Sequence, residues 1–144
     1  MAIASFIVAI AVLAYATHRK GGVLDSVSEV AYIIPSWAFT AWIAVVGILL
    51  APELLERLPE DWKWVGFLTI VGLFAVAASP YYKTDSKVLH YGGGILSIIC
   101  ASAVTLILEP AVLVVWALFA IPNKSWFFCA ELLAYVLLII TILV

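Results

Sequence analysis

The chain has 144 residues, 67% of them hydrophobic and 11% charged, with a formal net charge of −2. Soluble domains run nearer half apolar and a quarter charged, so a water-soluble fold of this length could not hide so much apolar surface. The weakly acidic balance offers no basic field, which excludes nucleic acid as a partner.

A membrane-spanning helix needs about 20 apolar residues, in a range of about 17–25. Six apolar runs can be read along the chain, each bounded by proline or charge. The first is Ala2–Thr17. Its positive charges, Arg19 and Lys20, follow the run, the reverse of a secretory signal, so it is read as a retained first helix. Next comes "DSVSEV", where Asp25 or Ser26 can act as an N-cap with Glu29 as capping-box partner. That predicts a helix starting ahead of Pro35, which bends or breaks it; a solvated loop is the alternative. Run two is Tyr32–Ala51, run three Trp64–Ser79 and run four Val88–Leu108. Run five, Ala111–Ile121, has eleven residues and rises only about 17 Å as a helix. It is either a short span or a re-entrant segment, and the re-entrant form would leave five spans with the termini on opposite sides. Run six is Trp126–Val144.

None of these runs alternates in polarity as barrel strands do. The expected fold is all-α: a polytopic transmembrane bundle of six helices, one domain over residues 1–144. The two cysteines, Cys100 and Cys129, lie inside apolar runs, where free cysteines behave as small hydrophobes. Their different depths argue against a disulfide.

Lys and Arg in short loops set orientation. Loops one, three and five carry Arg19, Lys20, Lys83, Lys87 and Lys124, whereas the other side carries Arg57 and Lys63. The expectation is a multi-pass protein of a bacterial inner membrane with loops one, three and five cytoplasmic and both termini outside. Trp37, Trp42, Trp62, Trp64 and Trp126 stand near run ends, as interfacial aromatics do.

Helical faces follow three- and four-residue steps. In run four His90 shares a face with Gly93, Gly94, Ser97, Ala101 and Thr105, opposite Ile95, Ile98, Ile99 and Leu106. Small residues let membrane helices approach closely, so the His90 face should look inward. Ser36, Thr40, Ala44 and Gly47 form a similar face in run two. Thr69, Gly72, Ala75 or Val76, and Ser79 form one in run three. Phe128, Glu131, Ala134 or Tyr135, Leu138 and Thr141 form one in run six. Their polar members gather toward one end as a candidate ligand-binding or structural cluster: Ser36, Ser79, His90 and Glu131, with Ser97 deeper and Asp85 just outside. Glu131 is the carboxylate well inside a run, and a charge at the bilayer centre costs at least about 2.5 kcal/mol. It is expected either to meet His90 or to reach the interface toward Lys124 or Lys87. Gly47, Gly72, Gly93 and Gly94 are the expected close-packing positions.

Several chemistries are excluded or disfavoured. Zinc sites need three or four His, Cys or carboxylate ligands, and the chain has two histidines; no metal and no cofactor are implied. Ser79, His90 and Glu131 could be drawn as a hydrolytic triad, but no G-x-S-x-G elbow is present. The glycines 92–94 lack the lysine and spacing of a phosphate loop.

The stretch "FLTIVGLFAVAASPYYKTDSKVLHYGGGILS" resembles a segment of small, uncharacterised polytopic membrane proteins of bacteria and phages. In those proteins an apolar helix ends in Ala–Ser/Ala–Pro and His-Tyr-x-Gly opens the next. Ala77, Ala78, Ser79 and Pro80, then His90, Tyr91, Gly93 and Gly94, carry the likeness. It covers about a fifth of the chain and implies no activity. The expectation is a non-enzymatic membrane protein acting through helix packing with a second copy or another membrane protein. The alternatives are a small transporter or lipid- or ligand-binding protein with a site around His90 and Glu131, and a lipid-modifying enzyme.

Overall fold

The computed structural model describes residues 1–84, 86–112, 114 and 126–144. Among the described residues every regular element is helical: α1 (Ala2–Lys20), α2 (Ser36–Arg57), α3 (Lys63–Ala77), α4 (Lys87–Leu108) and α5 (Trp126–Leu143). Short 3-10 turns, Val27–Tyr32 and Glu60–Trp62, precede α2 and α3. Three of the helices, α1, α2 and α4, are long and apolar enough to cross a membrane. Run five and Asp85 fall largely or wholly outside the described residues.

The helix ends follow local chemistry. Gly21 closes α1 at φ 71°, a left-handed conformation that glycine adopts without strain. Ser26 caps the first 3-10 turn, its hydroxyl accepting from the Glu29 N–H at 3.2 Å. Pro35 stands at the N-cap of α2, so the break expected there separates the 3-10 turn from the helix. At the other end of α2 the reading of run two is corrected. The helix passes through Pro52 and continues to Arg57. Proline removes one backbone hydrogen bond. Leu54 and Leu58 beyond it are nonetheless buried against Val65 and Ile70 of α3, and that packing holds the last turn.

The successive helices α1 to α4 run antiparallel and α5 runs parallel to α4, so the bundle has an Arg57 end and a His90 end. At the Arg57 end the Glu53 carboxylate accepts from the first N–H groups of α1, and Arg57 Nε donates to the Ile142 carbonyl of α5 at 2.9 Å. Leu50, Leu54, Val104, Leu138 and Ile142 fill the core there. Toward the His90 end the core is Leu13, Leu24, Val30, Phe39, Trp42 and Val46. α4 buries His90, Gly93, Ser97 and Thr105 and exposes Ile95, Ile98, Ile99 and Leu106, the division its spacing predicts. In α2 the outcome differs. Its buried stripe is Phe39, Trp42, Ile43, Val46, Gly47 and Leu50, so Gly47 of the expected face is buried while Ser36, Thr40 and Ala44 are half-buried along its edge. Large side chains pack against α1, and Thr40 meets the end of α3, where it donates to the Ala77 carbonyl at 2.8 Å. Trp42 is accordingly a core residue, whereas Trp37, Trp62 and Trp64 are exposed.

The α3–α4 seam is the closest approach. A Cβ on Gly72 would stand 2.6 Å from the Gly93 carbonyl oxygen, and one on Gly93 would stand 2.6 Å from the Ala75 Cβ. Ser97 donates to the Thr69 carbonyl across this seam at 3.1 Å. A Cβ on Gly47 would stand 3.2 Å from the Phe74 ring, and one on Gly94 only 3.9 Å from Val76.

Candidate functional site: a cavity closed by a 3-10 strap

The His90 end is built by folding the link between α1 and α2 back over the bundle. Leu24, Val30 and Ala31 sink into the core and anchor this strap. Glu29 fixes its shape: the carboxylate accepts from Lys20 Nζ at 2.8 Å and from the Asp25 N–H at 2.7 Å. Burial works against the charged form of Glu29, yet these bonds together with the Lys20 and Lys83 charges hold its carboxyl below the usual value of 4.5.

His90 and Glu131 grip the strap from below. His90 Nδ1 lies 2.9 Å from the Ser79 carbonyl and Nε2 lies 2.8 Å from the Ser28 hydroxyl. A carbonyl only accepts, so Nδ1 carries the proton; in the neutral ring Nε2 accepts from Ser28. Glu131 accepts from the adjacent Val27 N–H at 2.6 Å. Among the described residues His90 and Glu131 form no hydrogen bond with each other. Each instead holds one of two consecutive strap residues, because the strap's polar groups reach into the space between α4 and α5. Lys124, the alternative partner of Glu131, lies outside the described residues.

The loop after α3 completes the end. The Tyr82 ring stacks on His90 with centroids 4.2 Å apart, and Tyr91 stands edge-on to Tyr82 at 5.9 Å. Burial raises the Tyr82 hydroxyl above its usual value of 10.0, with a Ser26 hydrogen bond pulling the other way. Tyr81 donates to Ser36 at 2.9 Å on the exposed rim. Ser36 therefore ties loop to helix and stands apart from His90. Ser79 donates its hydroxyl to the Ala75 carbonyl at 2.6 Å, the satisfied end of a helix rather than a free nucleophile.

Beneath the strap lies a cavity of about 450 Å³. Its floor toward the His90 end is polar: Ser26, Ser28, Tyr82, His90 and Glu131. Its walls are apolar, with Leu13, Ile43, Leu50, Leu73, Ala101 and Leu138 among them. Tyr91, Ile95 and Ile98 line it and are also exposed on the outside of the bundle, so it reaches the outer surface beside α4. At its deeper level Tyr135 pairs with Ser5 at 2.7 Å; Ser5 donates onward to the Val46 carbonyl, so the Tyr135 hydroxyl is the donor.

The structure thus brings His90 and Glu131 to one end of the cavity, leaves Ser79 bonded to His90 but outside the lining, and sets Ser97 in the wall at the α3–α4 seam. Sequence reasoning missed Ser28, the Val27 N–H and Tyr82. The capping signal in "DSVSEV" marked the strap but carried nothing about where it docks. Among the described residues no three of His, Cys, Asp and Glu gather to hold a metal. No protein-family model matches the chain, and neither the curated proteins nor the solved structures gave a match.

Proposed function

We propose that the chain is a six-span protein of a bacterial inner membrane that binds a small amphipathic molecule in its cavity. The observation that carries this reading is the cavity itself, polar at the His90 end, apolar along its length and open beside α4. Sites for small ligands are concave, mostly apolar and supplied with a few convergent polar groups, and about 450 Å³ lies within their usual range.

Six spans are supported by the ends of α4 and α5. α4 finishes in the core of the Arg57 end, with Leu108, and α5 starts at the opposite end, with Phe128 beside Leu13 and Leu24. A link between opposite ends of the bundle is what a span at run five would supply. The cationic side holding Lys20 and Lys83 suits the cytoplasm, which leaves both termini outside. A role through helix packing with a partner has less support, because Gly72, Gly93 and Gly47 are already covered by helices of the same chain.

The test is to purify the protein in mild detergent and identify co-purifying small molecules by mass spectrometry, for wild type and Ala134→Trp. Ala134 lines the cavity, and an indole there would fill much of it. The expected result is an amphiphile retained by wild type and lost from the variant. Equal retention by both, or none by either, would sink the reading.

A further inference from the structure

We propose that the cavity selects an amphiphile with a cationic ammonium head and a single apolar chain, the head held by the Glu131 carboxylate. This rests on the ligand-binding reading above and names its ligand class.

Most polar groups of the wall are already partnered within the protein. His90 spends both ring nitrogens, on Ser79 and Ser28. Ser26 accepts from the Glu29 N–H, Ser97 donates to Thr69, Thr69 donates to Val65, and Tyr135 donates to Ser5. The Trp42 Nε1–H has no partner, but that atom is enclosed by protein and is not offered to the cavity. Glu131 differs. A carboxylate has about four acceptor positions, and among the described residues one is used, by the Val27 N–H. Ser28 donates to His90 and the Tyr82 and Tyr91 hydroxyls are neutral, so among the described residues of the wall Glu131 is the one carboxyl, with acceptor capacity to spare and a negative charge that a cation would favour.

Charge then decides the class. Among the described residues no Lys or Arg lines the cavity, so a phosphate, sulfate or carboxylate head would meet Glu131 and no compensating cation. Burying a second anion beside the first is strongly unfavourable. An ammonium head donates hydrogen bonds to Glu131 and cancels its charge. The aromatic groups suit it too: Tyr82 and Tyr91 both line the same end, edge to face, and ring faces attract cations. The strap already displays this preference, since Lys83 Nζ sits 4.6 Å from the Tyr32 ring centroid and 5.9 Å from that of Tyr82. The opening beside α4, flanked by exposed Ile95 and Ile98, lets a chain slide in from the bilayer while its head turns toward the strap.

The experiment uses the full chain in nanodiscs of zwitterionic lipid at neutral pH. Dodecylamine, dodecanol and dodecanoate are each added at equal mole fraction, the discs are re-purified, and retained probe is quantified against empty discs. Wild type should retain dodecylamine on the order of tenfold above dodecanoate, the discrimination one charge-assisted hydrogen bond implies. Glu131→Gln keeps the volume and an amide oxygen for the Val27 N–H, so the fold should stand, and the preference for the amine should vanish. Wild type retaining dodecanol or dodecanoate as well as dodecylamine would overturn the cationic head and leave the binding site intact. An unchanged amine preference in Glu131→Gln would do the same. Retention of none of the three probes by wild type would bring down the ligand-binding reading and this inference with it.

Discussion

The two flanks of α4 are opposites built from the same kinds of residue. Toward α3, Gly93 meets Gly72 so closely that the two backbones touch, and Ser97 spans the seam with a hydrogen bond. Toward α5, Gly94 and Ala101 border a cavity of about 450 Å³. Small side chains permit close approach but do not enforce it. On the α3 side a second glycine answers the first and the gap closes. On the α5 side Glu131, Ala134 and Tyr135 face the small residues across a gap that the strap spans at one end, and the gap stays open. One flank gives rigidity, and the other gives a site.

The seam is where that contrast can be broken most severely. A leucine at Gly93 must displace backbone atoms of α3, since its Cβ alone would lie 2.6 Å from the Ala75 Cβ and 2.8 Å from the Gly72 oxygen. Overpacking of this kind costs roughly 1–3 kcal/mol, and more when backbone must move. Gly92→Ala is the matched control, because a Cβ there meets nothing within 4 Å. Relief of glycine's backbone entropy should stabilise that variant by roughly 0.5–1 kcal/mol. Denaturant titration in detergent should therefore shift the two midpoints in opposite directions. A Gly93→Leu protein as stable as wild type would mean the seam is not closed.

How far these flanks could be read in the sequence follows from what periodicity records. The pattern His90–Gly93–Ser97–Thr105 marks one side of α4 as small and polar, and that side is buried. It cannot say which neighbour lies opposite, so seam and cavity look alike in the sequence. In α2 the small face Ser36–Thr40–Ala44 was a misleading guide, because the side packed against α1 carries Phe39 and Trp42. Pro52 was another: proline marks a helix end by its own geometry, and only the tertiary burial of Leu54 carries the helix past it. The grip of His90 and Glu131 on the strap joins residues 62 and 104 positions apart, and no local signal encodes such a contact.

The strap sharpens the comparison at intermediate cost. His90→Ala removes a side chain that holds Ser28 and the Ser79 carbonyl together and leaves polar groups near the cavity without partners. Loss of such buried partners costs about 1–3 kcal/mol. The effect should be local: amide exchange should quicken in residues 26–32, while the Gly72–Gly93 seam keeps its protection. Equal acceleration on both flanks would show that strap and seam fold as one unit.

The smallest effect concerns Glu29, which shapes the strap from its exposed side. Its carboxyl is held below the ordinary value of 4.5 because, against the burial that opposes its charge, Lys20, the Asp25 N–H and Lys83 favour the ionised form. A group depressed in the folded state stabilises it above the unfolded value, and that contribution is lost as pH falls through the folded one. Wild type should therefore keep its strap protected from neutral pH down to about 4.5 and lose that protection below it. Glu29→Gln cannot form the ion pair, so its strap should exchange faster than wild type at neutral pH, and the two proteins should converge in acid. Comparison at each pH cancels the intrinsic pH dependence of exchange and leaves the carboxylate's share. A difference between the two that persisted in acid would assign the strap's order to its buried anchors, Leu24 and Val30, and to the grip of His90 and Glu131, rather than to the charge on its rim.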